Sequence, residues 1–339
     1  MSEVALLTGG CGFIGSHLLE HFHRKTDWKF IVIDKLTYAS KGLDRLRDTG
    51  LLDSSRVTFF SWDLCNEFTD GMCKELNAVT YIIHLAADVG GLFKNLDKNA
   101  EMFSNNIAIN ENVLSMCKKY NIKRGIFVLS SCIYTPTPSK FPMDESMIHE
   151  GPPHPSNEGY AYAKRMLELQ CRQYNKAYGT HFTCVVPVNL YGPYDNFNLQ
   201  NSHLVPGLMH RFHLDSQKNK DLIAYGTGNP LRQFLYAPDF AEIILKLLFE
   251  NTYDKAEPLI ICNDKGYKIK DIVDNLMDTM KLSKDKIIWD TSKSDGCMKK
   301  TVTSAKFRRY YPEYEFTELS EGLTKSYEWF KTNYDTLRK

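Results

Sequence analysis

In its first half, the chain alternates short apolar runs with stretches long enough for helices, and this pattern restricts the fold more than any other feature. The apolar runs are almost continuous, as in strands that are covered on both faces of a sheet. A β-α-β-α order of this kind predicts an α/β fold with a doubly wound parallel sheet. The predicted strands are 4–8, 30–34, 57–63, 81–87, 125–131 and 182–188, and the predicted helices are 13–25, 100–120 and 160–178.

A glycine-rich turn joins the first predicted strand to the first predicted helix. The segment GGCGFIG at 9–15 places glycines at positions 9, 12 and 15. Without side chains, the backbone can turn sharply and approach a pyrophosphate, while the N–H groups at the start of the helix point at the anion. A glycine triplet alone also occurs in plain loops, but between a strand and a helix it predicts a dinucleotide-binding Rossmann domain. The predicted contacts are Gly9, Gly12, Phe13, Ile14 and Gly15.

An acidic residue, Asp34, ends the second predicted strand. A carboxylate at this position can accept hydrogen bonds from the adenosine ribose and would repel a 2′-phosphate, which favours NAD(H) over NADP(H). Lys35 follows and can soften that preference, and a solvated loop acid is the alternative interpretation. We expect further cofactor contacts after the third and fourth strands, at Asp63, Leu64, Ala86 and Ala87.

After residue 189 the pattern becomes irregular, with Gly192-Pro193 and a polar stretch at 195–202. Helices are predicted at 238–250, 269–280 and 319–333, and a strand at 259–262. We therefore predict a dinucleotide-binding domain at 1–188, with a return segment at about 234–262, and a smaller α/β substrate domain at 189–339.

The charge of the chain is almost balanced, with 42 Lys+Arg against 41 Asp+Glu. This balance argues against a protein built to bind nucleic acid or an anionic membrane. No apolar run is long enough to span a membrane, and the first residues do not resemble a signal peptide. The 9 cysteines are scattered without a C-x-x-C pair, so neither a disulfide framework nor a metal site is expected. A reducing, cytoplasmic setting is the expectation.

A tyrosine and a lysine, Tyr160 and Lys164, lie one helical turn apart on the helix predicted at 160–178. A nearby ammonium would lower the pKa of the phenol and fit it for general acid/base work. The Y-x-x-x-K pattern alone is common. Here the pattern is a strong signal for a catalytic pair, because a glycine-rich turn precedes it and because the fifth strand ends in Ser130-Ser131-Cys132.

Eight short motifs follow one another in order along the chain: HLAADVGG at 84–91, SSCIY at 130–134, GPPHPSN at 151–157, YAYAKRM at 160–166, GPYDNF at 192–197, SHLVPG at 202–207, GTGNPLRQF at 226–234 and SKSDG at 292–296. With these motifs the chain resembles the extended short-chain dehydrogenase/reductase family of nucleotide-sugar enzymes. Within that family it is most similar to the GDP-L-fucose synthases, which are GDP-4-keto-6-deoxymannose 3,5-epimerase-4-reductases. The resemblance implies NADP(H), a GDP-sugar substrate and a homodimer built on the helices at 100–120 and 160–178.

The resemblance also implies roles for single residues. Ser130, Tyr160 and Lys164 fall on the reductase triad, and Cys132 and His203 on the pair used for epimerisation. Outside the family pattern, such a cysteine is more often a core residue, and such a histidine a solvated one. The other implied positions are Asn106 and Asn112 on the helix behind the active site, and Asn189, Arg211, Tyr225, Arg232 and Lys293 in the GDP-sugar pocket.

Two departures leave alternatives open. The segment 34–40 is similar to the cofactor loop of dTDP-glucose 4,6-dehydratases, which retain NAD⁺, and Tyr194 replaces a histidine frequent in the family. Dehydratase chemistry itself is rejected, because its Asp-Glu pair is replaced here by Ser131-Cys132. The alternatives are an NAD-bound epimerase of the GDP-mannose 3,5-epimerase type, a reductase of another 4-keto sugar, and a non-catalytic scaffold.

Overall fold

The computed structural model of the chain describes residues 3–36, 40–249 and 257–339, and within these ranges the side chains of residues 40, 41, 70, 73, 92, 93 and 96 are not described. The strands in these ranges are β1 Val4–Thr8, β2 Lys29–Asp34, β3 Val57–Ser61, β4 Tyr81–His84, β5 Arg124–Val128, β6 His181–Pro187, β7 Asn189–Tyr191, β8 Leu222–Tyr225, β9 Leu231–Tyr236, β10 Leu259–Ile261, β11 Gly266–Lys268 and β12 Ile287–Asp290. The α-helices are α1 Phe13–Lys25, α2 Ser40–Asp48, α3 Asp70–Leu76, α4 Leu92–Asp97, α5 Asn99–Lys119, α6 Glu158–Tyr178, α7 Leu204–Gln217, α8 Ala237–Phe249, α9 Ile269–Met280, α10 Ala305–Tyr310 and α11 Leu319–Thr332.

A seven-stranded parallel sheet in the order β10-β6-β5-β4-β1-β2-β3 forms the centre of the fold. The strand order reverses between β1 and β4, and in such sheets ligands bind beyond the carboxyl ends of the strands at this reversal. The doubly wound α/β fold predicted from the sequence is confirmed.

Helix pairs cover this sheet: α5 packs along α6, and α1 packs along α8. The inner strands are largely apolar because both of their faces are buried, whereas the edge strand β3 has no buried residue. Leu6, Val32, Ile82 and Val186 each have no exposed surface.

The last part of the chain forms two smaller sheets, one of order β11-β9-β7 and a parallel pair of β12 with β8. Helices α7, α9 and α11 pack around them over a hydrophobic cluster that includes Phe212, Leu276 and Phe330. Strand β10, from the segment expected to return, pairs with β6 in the main sheet. The domain boundary at residue 188 stays a prediction, which the separate hydrophobic cluster supports.

Several elements were not predicted from the sequence, among them α2, α7 and the pair of β8 with β12. Helix α2 has only Leu43 and Leu46 as apolar side chains, too few for a periodic signal, and these strands have only four residues each. Among the described residues, no helix is long and apolar enough to cross a membrane. The eight cysteine side chains that the structure describes are all free, and no metal-binding cluster is found among the described residues.

Candidate active site

A cavity of about 400 Å³, here called the central cleft, opens beyond the carboxyl ends of the main strands. It collects side chains from the glycine-rich turn, from the ends of β2 to β6 and from the start of α7. The predicted residues that line it are Gly9, Gly12, Phe13, Ile14, Gly15, Asp34, Asp63, Leu64, Ala86, Ala87, Ser130, Tyr160, Lys164, Asn189 and His203. The predicted residues that do not line it are Asn106, Asn112, Cys132, Arg211, Tyr225, Arg232 and Lys293.

The glycine-rich turn is tight enough to exclude side chains at two positions. Gly9 has a φ of 71° and donates its N–H to the carbonyl of Ile33 at 2.7 Å. A Cβ on Gly9 would lie 2.9 Å from the nitrogen of Ala86, and one on Gly15 would collide with the carbonyl of Gly9. The 13-residue helix α1 starts at Phe13 on the wall of the cleft. Free amides at the start of such a helix suit a pyrophosphate, so these residues fit a dinucleotide cofactor.

Asp34 is held at the end of β2 by two backbone amides. Its Oδ2 accepts from the N–H of Cys11 at 3.1 Å, and its Oδ1 accepts from the N–H of Leu36 at 2.8 Å. Burial raises the pKa of Asp34, and these two hydrogen bonds oppose the rise. Lys35 forms an ion pair with Asp63 at 3.4 Å on the same wall. Residues 37–39 lie outside the described residues, so the similarity of the segment 34–40 to NAD-retaining loops stays a prediction.

Ser130 and Cys132 lie together at the end of β5. The Oγ of Ser130 accepts a hydrogen bond from the N–H of Cys132 at 3.3 Å and thereby starts the short 3-10 turn Ser131–Ile133. Because this bond uses a lone pair, the hydroxyl proton of Ser130 remains able to donate to a substrate oxygen. Cys132 is buried directly behind the serine, which lines the cleft.

Tyr160 and Lys164 share one face of α6, as predicted from their spacing. Lys164 donates from Nζ to the carbonyl of Val128 at 2.8 Å, and the same Nζ is 5.9 Å from the ring centre of Tyr160. Burial lowers the pKa of Lys164 to about 8. Burial, followed by the charge of Cys132, raises the pKa of Tyr160, whereas the sequence predicted a lowered value. Desolvation therefore outweighs the ammonium, and Tyr160 is a neutral phenol that can donate a proton.

His203 stands on the other wall of the cleft, directly before α7. Part of the residue is open to solvent, but the surrounding protein and the charge of Arg338 lower the pKa of His203. Its imidazole is therefore neutral near pH 7 and can accept a proton. Cys132 and His203 thus come from separate elements, as two-sided proton transfer requires.

A chain of buried polar groups links β1, β4, α5 and α6. Thr8 Oγ1 accepts from the amides of Leu85 and Ala86 and is 2.8 Å from Nδ1 of His84, so it donates its proton to the imidazole. Nε2 of His84 is hydrogen-bonded to Oδ1 of Asn110 at 3.2 Å, and Nδ2 of Asn110 donates to the carbonyl of Ala163 at 3.3 Å. Burial and the charge of Lys164 lower the pKa of His84 to about 3. His84 is therefore a neutral link between the glycine-rich turn and α6.

The two asparagines expected on the helix behind the site secure loops of the cleft. Nδ2 of Asn106 donates to the carbonyl of Asp88 at 2.9 Å, and its Oδ1 accepts from the Asp88 N–H at the same distance. Nδ2 of Asn112 donates to the carbonyl of Leu64 at 2.8 Å. Both asparagines act by positioning the segments that follow β3 and β4.

Three of the predicted GDP-sugar residues lie on the smaller sheets and α7. Asn189 donates from Nδ2 to the carbonyl of Gln233 at 2.8 Å. The guanidinium of Arg211 lies 4.2 Å from the ring centre of Tyr225, and it donates to the carbonyl of Ile223 at 3.3 Å. Tyr225 is 51% exposed, so the ring remains accessible to a ligand although Arg211 contacts it.

Arg232 and Lys293 also lie outside the lining of the central cleft. Arg232 is half-buried on β9 and donates to the carbonyl of Leu231 at 2.9 Å, and burial lowers its pKa. Lys293 follows β12, whose residue Asp290 is paired with Tyr225 of β8. Of the predicted nucleotide-binding residues, Asn189 lines the cleft, whereas Arg211, Tyr225, Arg232 and Lys293 do not.

Two cations near the site residues, Lys300 and Arg338, were not predicted from the sequence. Lys300 is half-buried, and its charge acts on both Cys132 and Arg232, while burial lowers its pKa. Arg338 lines the central cleft from the end of the chain. Neither lies in a motif that was recognised, and nothing separates them by pattern from the other Lys and Arg residues.

Tyr194 has a structural role in place of the histidine that is frequent in the family. Its φ is 66°, and its ring packs under the guanidinium of Arg45, 2.9 Å from the ring centre. The ring also contacts Trp329 and His17, with ring centres 4.5 and 5.5 Å apart. Tyr194 therefore joins α1, α2 and α11 beside the cleft.

Comparisons with known proteins agree with this geometry. A model of the NAD dependent epimerase/dehydratase family matches residues 5–261. The GDP-L-fucose synthase of Dictyostelium discoideum is 40% identical over 344 residues, which cover 99% of this chain and 98% of that protein. The GDP-L-fucose synthase of Escherichia coli (strain K12) is 33% identical, with 98% of both chains covered. The crystal structure of a GDP-L-fucose synthetase from Naegleria fowleri bound to NADP is 34% identical and has a TM-score of 0.80, covering 99% of this chain and 95% of that one.

The fold, the cleft and these matches define a nicotinamide-dependent enzyme of nucleotide-sugar chemistry, and the chain belongs to the NAD dependent epimerase/dehydratase family. Its relatives within that family are GDP-L-fucose synthases. The family resemblance stated from the sequence motifs is thereby confirmed.

Proposed function

We propose that this chain converts GDP-4-keto-6-deoxy-D-mannose to GDP-L-fucose by 3,5-epimerisation and subsequent reduction of the C4 ketone. The observation that carries the proposal is the central cleft, where Ser130, Tyr160, Lys164 and His203 face one space beside a dinucleotide site, with Cys132 directly behind Ser130. The names of the relatives support the same substrate.

In the epimerisation, two groups exchange protons at C3 and C5 of the sugar. The C4 ketone acidifies these protons, because the carbanion delocalises onto the C4 oxygen as an enolate. One group removes each proton and another returns it from the opposite face. Cys132 and His203 fit these roles, since a thiol and a neutral imidazole lie on different elements around the cleft. Ser130 and Tyr160 donate hydrogen bonds to the C4 oxygen, where negative charge develops.

In the reduction, Tyr160 donates its phenolic proton to the C4 oxygen. The nicotinamide cofactor, when bound, supplies the hydride to C4. Ser130 keeps the oxygen in place during the step. Lys164 remains charged at neutral pH with a pKa of about 8. Its ammonium stabilises the phenolate that forms when Tyr160 has donated its proton.

The cofactor preference is set by Asp34 in our proposal. Its carboxylate is fixed by the amides of Cys11 and Leu36 at the place where the adenosine ribose binds, which favours NADH. The family resemblance favours NADPH, and the N. fowleri relative was crystallised with NADP. Both cofactors therefore belong in the assay.

The test is a cofactor-consumption assay with GDP-4-keto-6-deoxymannose in D₂O, run separately with NADH and NADPH. We expect oxidation of at least one cofactor and incorporation of deuterium at C3 and C5 of the product. Deuterium incorporation without cofactor consumption would show an enzyme that only epimerises. Absence of both would contradict the proposal.

The protein forms a homodimer through α5 and α6 in this proposal. Phe103 on α5 and Met166 on α6 are large apolar side chains that are 40% and 41% exposed, although these helices pack along each other. Exposed apolar side chains on adjacent helices suit a helical interface. Light scattering should give twice the chain mass, and Met166→Glu should shift it towards the monomer. A monomeric wild-type protein would contradict this part.

We place the protein in the cytoplasm, because Cys132 must remain a thiol to exchange protons. The eight described cysteine thiols are free, in agreement with a reducing compartment. Fluorescence microscopy of a tagged chain tests this, and a signal confined to an oxidising compartment would contradict it.

A further inference from the structure

The residues after α11 fold back against the central cleft. Leu337 is buried in the second hydrophobic cluster, and the carbonyl of Arg338 accepts a hydrogen bond from the N–H of Phe197 at 2.9 Å. These two contacts fix the backbone on both sides of the Arg338 side chain. The point from which that side chain starts is therefore set by the fold.

Arg338 lines two neighbouring cavities at once. One is the central cleft, and the other is a cavity of about 350 Å³ that is also bordered by Gly12, Phe13 and Ser16. The amides of Gly12 and Ser16 donate to the carbonyls of Gly9 and Gly12, so the free amides at the start of α1 are those of Phe13 and the two residues after it, and Phe13 borders both cavities. The half-buried guanidinium of Arg338 thus shares a wall with the phosphate-binding turn.

The charge of Arg338 reaches two groups that line the central cleft. Its charge acts on Asp34, which marks the adenosine ribose, and on His203, which marks the reacting end of the cleft. A charge that reaches both ends lies near the group that joins the two nucleotides, which is the pyrophosphate. The charge of Arg338 also acts on Asp195, which is buried. The pKa of Asp195 is raised to about 7, so its carboxyl is only partly ionised at neutral pH and neutralises the positive charge of Arg338 only in part.

We infer that Arg338 binds the pyrophosphate of the dinucleotide cofactor, together with the amides at the start of α1. A guanidinium presents two parallel N–H groups that match two phosphate oxygens, and it carries the charge that the uncharged amides lack. Neither the glycine-rich turn nor the β2 end supplies a cation for this group other than Lys35, which is paired with Asp63. The inference rests on the proposed use of a nicotinamide dinucleotide.

The test measures dissociation constants of the full-length protein for NADH, NADPH and ADP, without sugar substrate. ADP carries the pyrophosphate but neither the nicotinamide nor a 2′-phosphate. Arg338→Ala should raise Kd for all three ligands by about tenfold. Arg338→Lys should raise it by less, because lysine keeps the positive charge but lacks the two parallel N–H groups of the guanidinium. Lys339→Ala is the matched control, since it removes the neighbouring cation, which is bonded to the carbonyl of Tyr334. Its Kd values should stay within about twofold of the wild type.

Three results would overturn the inference. An increase in Kd for NADPH alone would place Arg338 at the 2′-phosphate. Equal effects of Arg338→Ala and Lys339→Ala on Kd would indicate a non-specific electrostatic effect of positive charge and no direct contact with the pyrophosphate. Unchanged Kd values with a lowered melting temperature would make Arg338 a structural counter-ion to Asp34 and Asp195. Because no sugar is present, failure of the proposed substrate leaves this test valid, and failure of this test leaves the sugar assay valid.

Discussion

Lys164 donates a hydrogen bond from Nζ to the main-chain carbonyl of Val128 at 2.8 Å, which ties α6 to the last residue of β5. The ammonium is thereby held between the strand end that carries Ser130 and the helix that carries Tyr160. Its position depends on the backbone and not on a carboxylate. The site consequently has a positive charge beside the phenol, and among the described residues no carboxylate forms an ion pair with it.

Replacement of Tyr160 separates reduction from proton exchange. Tyr160→Phe removes the proton donor at C4, and we expect cofactor oxidation to fall by about a hundredfold or more. Deuterium exchange at C3 and C5 should partly survive, since Cys132 and His203 remain. Tyr162→Phe is the matched control, because Tyr162 contacts Arg165 and does not line the cleft. Loss of exchange and reduction to the same extent would contradict the division of roles.

Replacement of Cys132 should have the reverse effect. Cys132→Ser exchanges the thiol for a much weaker acid, so deuterium exchange should slow by about a hundredfold and limit turnover. Cys117→Ala, at a buried cysteine on α5, should leave the exchange rate unchanged. The rates are followed by NMR of the sugar protons in D₂O. If Cys132→Ser exchanges as fast as the wild type, the thiol has no role in proton transfer.

Asp34 should determine the ratio of the affinities for NADH and NADPH. Asp34→Ala removes the acceptor for the ribose hydroxyls and the repulsion of a 2′-phosphate, so the ratio should shift towards NADPH by about tenfold. Fluorescence titration with both cofactors measures this ratio. Asp53→Ala, at an exposed acid before β3, provides the comparison. An unchanged ratio would remove Asp34 from the account of cofactor preference.

Gly15 should not tolerate a side chain. The Cβ of Gly15→Ala would collide with the carbonyl of Gly9, and the turn would have to open. We expect a loss of about 2 kcal/mol in the free energy of unfolding and weaker cofactor binding. Gly71→Ala, on α3 where a Cβ would meet no atom within 4 Å, should leave cofactor binding unchanged and should not lower the free energy of unfolding. Urea unfolding and the Kd for NADH test this pair, and equal effects of both substitutions would contradict it.

His84 should make the stability of the protein depend on pH. Its pKa is about 3 in the folded chain against an ordinary 6.5, so the unfolded chain binds more protons between these values. Stability is therefore lost as the pH falls below about 6.5, by about 1.4 kcal/mol per pH unit for this group. His84→Gln should be less stable than the wild type at pH 7 but should lose less stability between pH 7 and 5. The measurement is the urea concentration at the unfolding midpoint between pH 7 and 5. If this midpoint changes with pH to the same extent in both proteins, the prediction is wrong.

The parts of the structure that were predicted from the sequence are those with a local signal. Helix α1 has the predicted bounds because Gly12 and the apolar pattern of the helix mark them, and the cofactor turn follows from glycines whose Cβ atoms would collide. The raised pKa of Tyr160 was predicted with the opposite sign, because burial cannot be measured from the spacing of two residues. Arg338 was missed because tertiary contacts alone bring it to the cleft, and Lys300 because only the fold brings it near Cys132 and Arg232.

A series of buried hydrogen bonds runs from Thr8 through His84 and Asn110 to Ala163. It joins the cofactor turn to α6, the helix that carries the catalytic tyrosine and lysine. Each bond in it lies where no water can replace it, so sliding of α6 against β1 would leave polar groups unpaired. The wall of the cleft formed by these elements is therefore expected to move as one rigid body. We therefore expect substrate entry and product release to depend on the segment of His203, which precedes α7 and lies outside this series of bonds. Any movement of that segment would change the distance between His203 and Cys132.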